Sequence, residues 1–306
     1  MNHKAADRVI VVLMLSLMAV CVAGAAPFSP QFTIVKIAGT CRVQSPGTND
    51  FSTATEGQVC SYGTVINTSN GSSCIVSFSE DNGFLVCQNT TVAIEEKKKD
   101  NKSKVLRITE GEVEFNLEKN FRKHNRLSVE TPNGTCEAIA CTCSVEFRII
   151  GDLKTTSYRC TEGNVEVRGE YFAVTDLGTG DQVTVAQSPN DNFIRSKVVK
   201  GDVTIIAKDD IGAERKIALA IGDELTVMTN VSATEPSKLD VVYKVVYADT
   251  KKAEQTWVHV YAKAVVEPGR ESGSDGKPAP QLPSDRKWSS LTVAPPIPTV
   301  TPVGLQ

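Results

Sequence analysis

A glycine followed closely by an alternating apolar run recurs along this chain, and that recurrence restricts it to β structure. Ile108-Thr-Glu-Gly111-Glu-Val113-Glu-Phe115, Cys160-Thr-Glu-Gly163-Asn-Val165-Glu-Val167 and Val198-Val-Lys-Gly201-Asp-Val203-Thr-Ile205 share one form. A second form follows two of them, in Leu177-Gly-Thr-Gly180-Asp-Gln-Val183-Thr-Val185 and Leu219-Ala-Ile-Gly222-Asp-Glu-Leu225-Thr-Val227, and Gly39 and Gly57 make an earlier, similarly spaced pair. Period-two alternation after each glycine suits a half-buried strand and offers no helical face. The glycine supplies a turn or bulge that a Cβ would hinder. One such ribbon cannot bury its apolar side alone. Repetition therefore predicts an all-β protein, a stacked or rolled sheet of repeated Gly-turn hairpin units around one shared core.

Residues 127–167 are the most regular stretch. A β-type run is broken at Thr131-Pro132, then Cys141, Cys143, Val145 and Phe147 alternate with polar or small residues, and a Gly151-Asp152 turn leads back to Glu162-Gly163-Asn-Val165. Upstream, Glu80-Asp81-Asn82-Gly83 is a strong hairpin signal, because Asn-Gly tolerates positive φ. Downstream, residues 241–247 and 256–266 read as two further strands joined by the charged turn Asp249-Thr-Lys-Lys252. No long amphipathic helix is visible between them.

Both ends of the chain read differently from its middle. Lys4 and Arg8 precede an apolar run over 9–23, and Ala23-Gly24-Ala25 offers the small residues of a cleavage site, so residues 1–25 are expected to be a cleaved signal peptide. An uncleaved anchor is the alternative. Residues 267–306 are rich in Pro, Ser and Gly, with Pro278, Pro280, Pro295 and Pro298 among them, and are expected to be disordered. Between the ends lie a β domain over 32–187 and, over 188–266, a further repeat with a terminal hairpin. The expected location is periplasmic or secreted.

The chain has nine cysteines. Apart from Cys21, in the signal, they are Cys41, Cys60, Cys74, Cys87, Cys136, Cys141, Cys143 and Cys160. An even number in an exported protein points to disulfides, although sequence alone cannot select the pairing. Cys74 and Cys87 flank the Asn82-Gly83 hairpin and could face each other, while Cys41 and Cys60 match the paired apolar positions Val165 and Val183 of the repeat, which suggests a bridge between them. Cys136-x4-Cys141-x-Cys143 is the one cluster with metal-like spacing. Cys141 and Cys143 would lie on one strand face about 7 Å apart, which suits two bridges as well as one ion, and an oxidising compartment favours disulfides over metal.

Taken in order, Gly39, Glu56-Gly57, the Asn82-Gly83 hairpin, Asn89-Thr90, Glu110-Gly111-Glu-Val113, Thr131-Pro132, Val145 and Glu162-Gly163-Asn-Val165-Glu-Val167 resemble the FecR domain of bacterial extracytoplasmic signal transducers. The resemblance spans roughly residues 35–185. It departs at Ile139-Ala-Cys141-Thr-Cys143-Ser-Val145, where cysteines replace the Thr and Phe of the family's R-G-T-x-F-x-V strand. It implies a β fold outside the cytoplasm. Transducers of this family also carry a cytoplasmic segment that contacts a sigma factor. Only residues 1–8 precede the apolar run here, so that contact is not supported.

Catalytic chemistry finds little support. No G-x-S-x-G, GxGxxG, P-loop or EF-hand pattern occurs, and no catalytic, cofactor or metal residue is assigned. His3 goes with the signal, and His124 sits in a basic loop with Arg122, Lys123 and Arg126. Trp257, His259 and Tyr261 share one strand face that could bind a sugar or a partner, although an ordinary strand face is the commoner case. A net charge of −3 gives no reason to expect nucleic acid. The expectation is a non-catalytic, cofactor-free envelope protein that binds another envelope protein or a glycan, with a membrane-anchored sensor or regulator as the alternative. Membrane contact is expected only if the N-terminal segment stays uncleaved.

Overall fold

In a computed structural model, residues 32–79, 82–96, 103–118, 126–188, 192–231 and 238–262 are described, and every regular element among them is a β-strand. The signal segment, Cys21, His124 and the Pro-rich tail lie outside the described residues. In chain order the strands are β1 (Phe32–Ala38), β2 (Cys41–Gln44), β3 (Phe51–Thr53), β4 (Val59–Cys60), β5 (Val65–Thr68), β6 (Ser73–Ser79) and β7 (Asn82–Val86). There follow β8 (Thr91–Glu96), β9 (Ser103–Asn116), β10 (Arg126–Thr131), β11 (Gly134–Ile150), β12 (Leu153–Arg168) and β13 (Phe172–Gly178). The last are β14 (Gln182–Ser188), β15 (Phe193–Lys200), β16 (Val203–Lys208), β17 (Glu214–Leu219), β18 (Glu224–Val231), β19 (Lys238–Val246) and β20 (Gln255–Ala262).

Strand pairing sorts these elements into two layers. One runs β4-β1-β6-β7-β9-β11-β12-β14-β15-β18-β19-β20, antiparallel throughout. The other runs β3-β2-β5-β8-β9-β10-β11-β12-β13-β16-β17, with β9 and β10 parallel. Three long strands, β9, β11 and β12, belong to both. The first part of β12, to Arg159, pairs with β14, whereas its last part, from Asn164, pairs with β13. Both layers continue across residue 187.

Crossing between layers requires a sharp bend in an otherwise extended strand. β12 bends at Gly163, with φ +86°, where a Cβ would lie 2.6 Å from the Ala140 carbonyl oxygen. β11 bends opposite it, at Ala140 (φ +47°). The ladder register shifts there, from Ile139↔Asn164 to Thr142↔Glu162. The extra residue reverses the inward parity of β11: Cys136 and Ala138 are buried before the bulge, and Cys141, Cys143, Val145 and Phe147 after it. β9 bends in the same way at Gly111.

The glycines of the sequence repeat mark the passages between layers. Gly39, Gly180, Gly201 and Gly222 lie between β1 and β2, β13 and β14, β15 and β16, and β17 and β18, each pair divided between the two layers. In the second form the aspartate after the glycine closes the corner. Asp181 Oδ2 accepts from the Gly178 amide at 2.9 Å. Asp223, only 2% exposed, accepts from the Ala220 amide through Oδ2 and from the Ala248 amide through Oδ1.

Alternation then fills the space between the layers. Val203, Ile205 and Ala207 of β16 point inward while the residues between them remain partly exposed. Tyr158, fully buried, reaches across from β12, its hydroxyl 3.3 Å from Thr131 Oγ1, and Asn133 Nδ2 donates to the Lys154 and Val185 carbonyls. Thr131-Pro132-Asn133 is thus a hairpin turn pinned to the opposite layer. Asn133 begins a glycosylation sequon, but it is 6% exposed with its amide nitrogen engaged, so a glycan there is incompatible with this packing.

Candidate functional site

The two layers end together on the C-terminal side, in strands of opposite chemistry. β17 pairs only with β16 among the described residues, and its ERKIAL sequence places Glu214, Arg215 and Lys216 at that edge. Among the described residues β20 likewise pairs only with β19, from Val245↔Gln255 to Lys238↔Ala262 without a register shift. Its sequence, QTWVHVYA, contains no Asp, Glu, Lys or Arg. An edge strand leaves alternate N–H and C=O groups facing away from the sheet, and charged residues are the usual guard against unwanted pairing. β20 is straight, long and unguarded. Its outward side chains include Val258 and Val260, 42% and 45% exposed.

The opposite face of β20 is the one the sequence singled out for a ligand, and the structure turns it inward. Trp257 is 8% exposed and stacks on Tyr243, with centroids 5.1 Å apart. Its Nε1 donates to the Lys208 carbonyl at 2.8 Å, and the Arg215 guanidinium lies 4.2 Å from the ring centre. The Tyr261 hydroxyl is 3.0 Å from that of Tyr243, which donates to the Tyr171 carbonyl. Burial, reinforced by the Tyr261 contact, raises the Tyr243 pKa well above the usual phenol value. His259 meets Tyr261 edge to face at 4.6 Å, and its Nδ1 is buried without a hydrogen-bond partner among the described residues. Of the expected Trp257–His259–Tyr261 ligand face, Trp257 is thus taken up by packing, while His259 and Tyr261 stay partly exposed. Large aromatic side chains lose less in the core than on an open surface, so the β16–β17 hairpin closes over them.

The cysteines were expected to pair around hairpins and repeats. No disulfide joins any of the eight here, and the register does not set one expected pair face to face. Cys74 lies opposite Val86, not Cys87, and a one-residue offset sends Cys87 to the other side of the sheet. Cys87 instead lies beside Glu112 and Glu114, whose carboxylates are 3.6 and 3.9 Å from the Arg159 guanidinium. Burial first, then the neighbouring acids, push its thiol up to about 12. A protonated thiol among acids already paired with arginine is a poor metal donor set. Cys41 lies against Cys74, with Cys60 close to both, and Cys136 lies against Cys143.

A second outward feature lies at the other end of the β20 layer. Val35, Ile75 and Leu85 form an apolar floor rimmed by Glu114, Asn116 and Thr142, bounding about 500 Å³. Val35 and Ile75 are 52% and 40% exposed.

The family model described as FecR protein matches residues 64–166, inside the span of the sequence resemblance and covering the three bent strands β9, β11 and β12. Two crystal structures of a "putative anti-sigma factor" from Parabacteroides distasonis, at 1.65 and 2.50 Å resolution, are similar at 15% identity and a TM-score of 0.36. Each alignment covers 48% of this chain, with 69% and 68% of the respective neighbour. No curated protein matches the sequence.

Proposed function

With residues 64–166 matching the FecR family, we propose that this chain is a FecR-type regulator of signal transduction, exported from the cytoplasm and acting by recognition without catalysis. The observation that carries the recognition half is β20. A straight edge strand without a formal charge, backed by a packed aromatic face, is a template to which an extended segment of a partner protein adds by main-chain hydrogen bonds. Val258 and Val260 would supply the side-chain contacts on the outer face. The strongly charged β17 edge beside it would discourage a second, competing addition.

Photo-crosslinking tests this directly. A crosslinkable residue at position 260 of the full chain should label one envelope protein, and V258K should abolish that label while leaving the melting temperature unchanged. Equal labelling from a probe on β17, or binding only to glycans in a parallel glycan screen, would overturn the β20 assignment. Export is tested separately by mass spectrometry of the mature N-terminus. A start near Ala26 supports a released protein, whereas an intact residue 1 supports a membrane-anchored regulator.

A further inference from the structure

Six of the eight thiols fall into two buried triplets. In the first, Cys41 opens β2 and Cys74 lies on β6, opposite Ile37 of β1. The corner between β1 and β2 is held to β6 by the Thr40 amide, which donates to Ser72 Oγ at 2.8 Å. The Cys41 and Cys74 thiols meet in the core, 1% and 0% exposed, with Cys60 alongside at 2%. In the second, Cys136 and Cys143 are on one strand, where a straight run would place them on opposite faces roughly 23 Å apart. The bulge at Ala140 bends β11 and reverses its parity, so the two thiols meet inside the bend. Cys160, opposite Cys143 in the ladder, turns its sulfur to the Glu162 carbonyl of its own strand at 3.4 Å.

We propose that this protein carries two disulfides, Cys41–Cys74 and Cys136–Cys143, with Cys60 and Cys160 remaining as thiols beside them. Each bridge forms by exchange with an external disulfide donor. One protein thiolate attacks a donor sulfur and expels the first donor thiolate. The second protein thiolate then attacks the mixed disulfide at the protein sulfur and releases the other. Two protein thiols are oxidised, the donor disulfide is reduced to two thiols, and the protons leave with them. At the first pair the Cys74 thiol donates to Cys41 and holds the Cys41 pKa below the usual thiol value, which suits Cys41 as the attacking sulfur. Burial pushes Cys60 and Cys160 up to about 11, which keeps both protonated and slow to compete.

The proposal concerns connectivity and needs no assumption about the partner. The full chain, secreted from an expression host and alkylated on harvest, is mapped without reduction after cleavage at glutamate. Cleavage after Glu137 separates Cys136 from the segment that holds Cys141 and Cys143; Cys60 and Cys74 share the segment 57–80, and fragmentation distinguishes the members of both pairs. The expected products are linked peptides Cys41–Cys74 and Cys136–Cys143, with Cys60 and Cys160 alkylated. Bridges Cys41–Cys60, Cys74–Cys87 or Cys143–Cys160, or eight alkylated thiols, overturn it. A C141S variant, refolded from the reduced state in oxidised and reduced glutathione, should give the same two bridges. Loss of the Cys136 link in that variant identifies Cys141 as the true partner and also overturns the assignment.

Discussion

The β11–β12 pair and the β19–β20 pair are both long antiparallel ladders, and they do opposite work. β11–β12 shifts register at interlocking bulges, pairs on both flanks and passes through both layers. β19–β20 has no shift and stays in one layer, ending in an edge unpaired among the described residues. The bent pair builds the body, because only a strand that changes layer ties the two faces of the core together. The straight pair is terminal, with its backbone groups directed outward. Backbone strain and the exposed sheet edge are therefore kept in different strands.

That contrast can be broken from either side. Gly163→Ala should have the largest effect, about 4 kcal/mol of destabilisation, since positive φ alone costs about 1–3 kcal/mol and the added Cβ meets a fixed carbonyl. A urea-unfolding loss below about 1 kcal/mol would mean that β12 does not bend as described. Trp257→Ala should cost about 3 kcal/mol through lost stacking and cavity formation. If it instead removed partner binding at unchanged stability, the inner face of β20 would be a ligand face after all. Asp223→Ala should cost about 2 kcal/mol, because two backbone amides lose their acceptor in a buried corner. Thermal melts comparing it with Asp181→Ala, whose carboxylate accepts from one described amide, should rank the two in that order. Val258→Lys should change stability by no more than about 0.5 kcal/mol, as expected of an exposed position. A large loss of stability there would show the outer face of β20 to be packed.

How far the sequence could be read differs between these two pairs. Period-two alternation in Cys141, Cys143, Val145 and Phe147 correctly gave one inward face after the bulge. The bulge itself was invisible, because Ala140 carries no signature of positive φ, so the meeting of Cys136 with Cys143 could not be anticipated. The recurring glycines were legible as breaks in strands, but not as passages from one layer to the other. For β20, alternation placed Trp257, His259 and Tyr261 on one face without saying which way that face turns. The lack of charge in β20 was readable, yet it acquires meaning only once the strand is known to be an edge.

By itself the sequence determined that the chain is all-β, that glycines punctuate its strands and that the FecR resemblance spans roughly residues 35–185, because these depend on local periodicity and on residues close in the chain. Only the tertiary structure decided which layer each strand joins, which thiols meet and which strands stand at the edges of the described sheet. Those outcomes depend on contacts between residues far apart in the chain, and a single extra residue at a bulge is enough to exchange the inside of a strand for its outside.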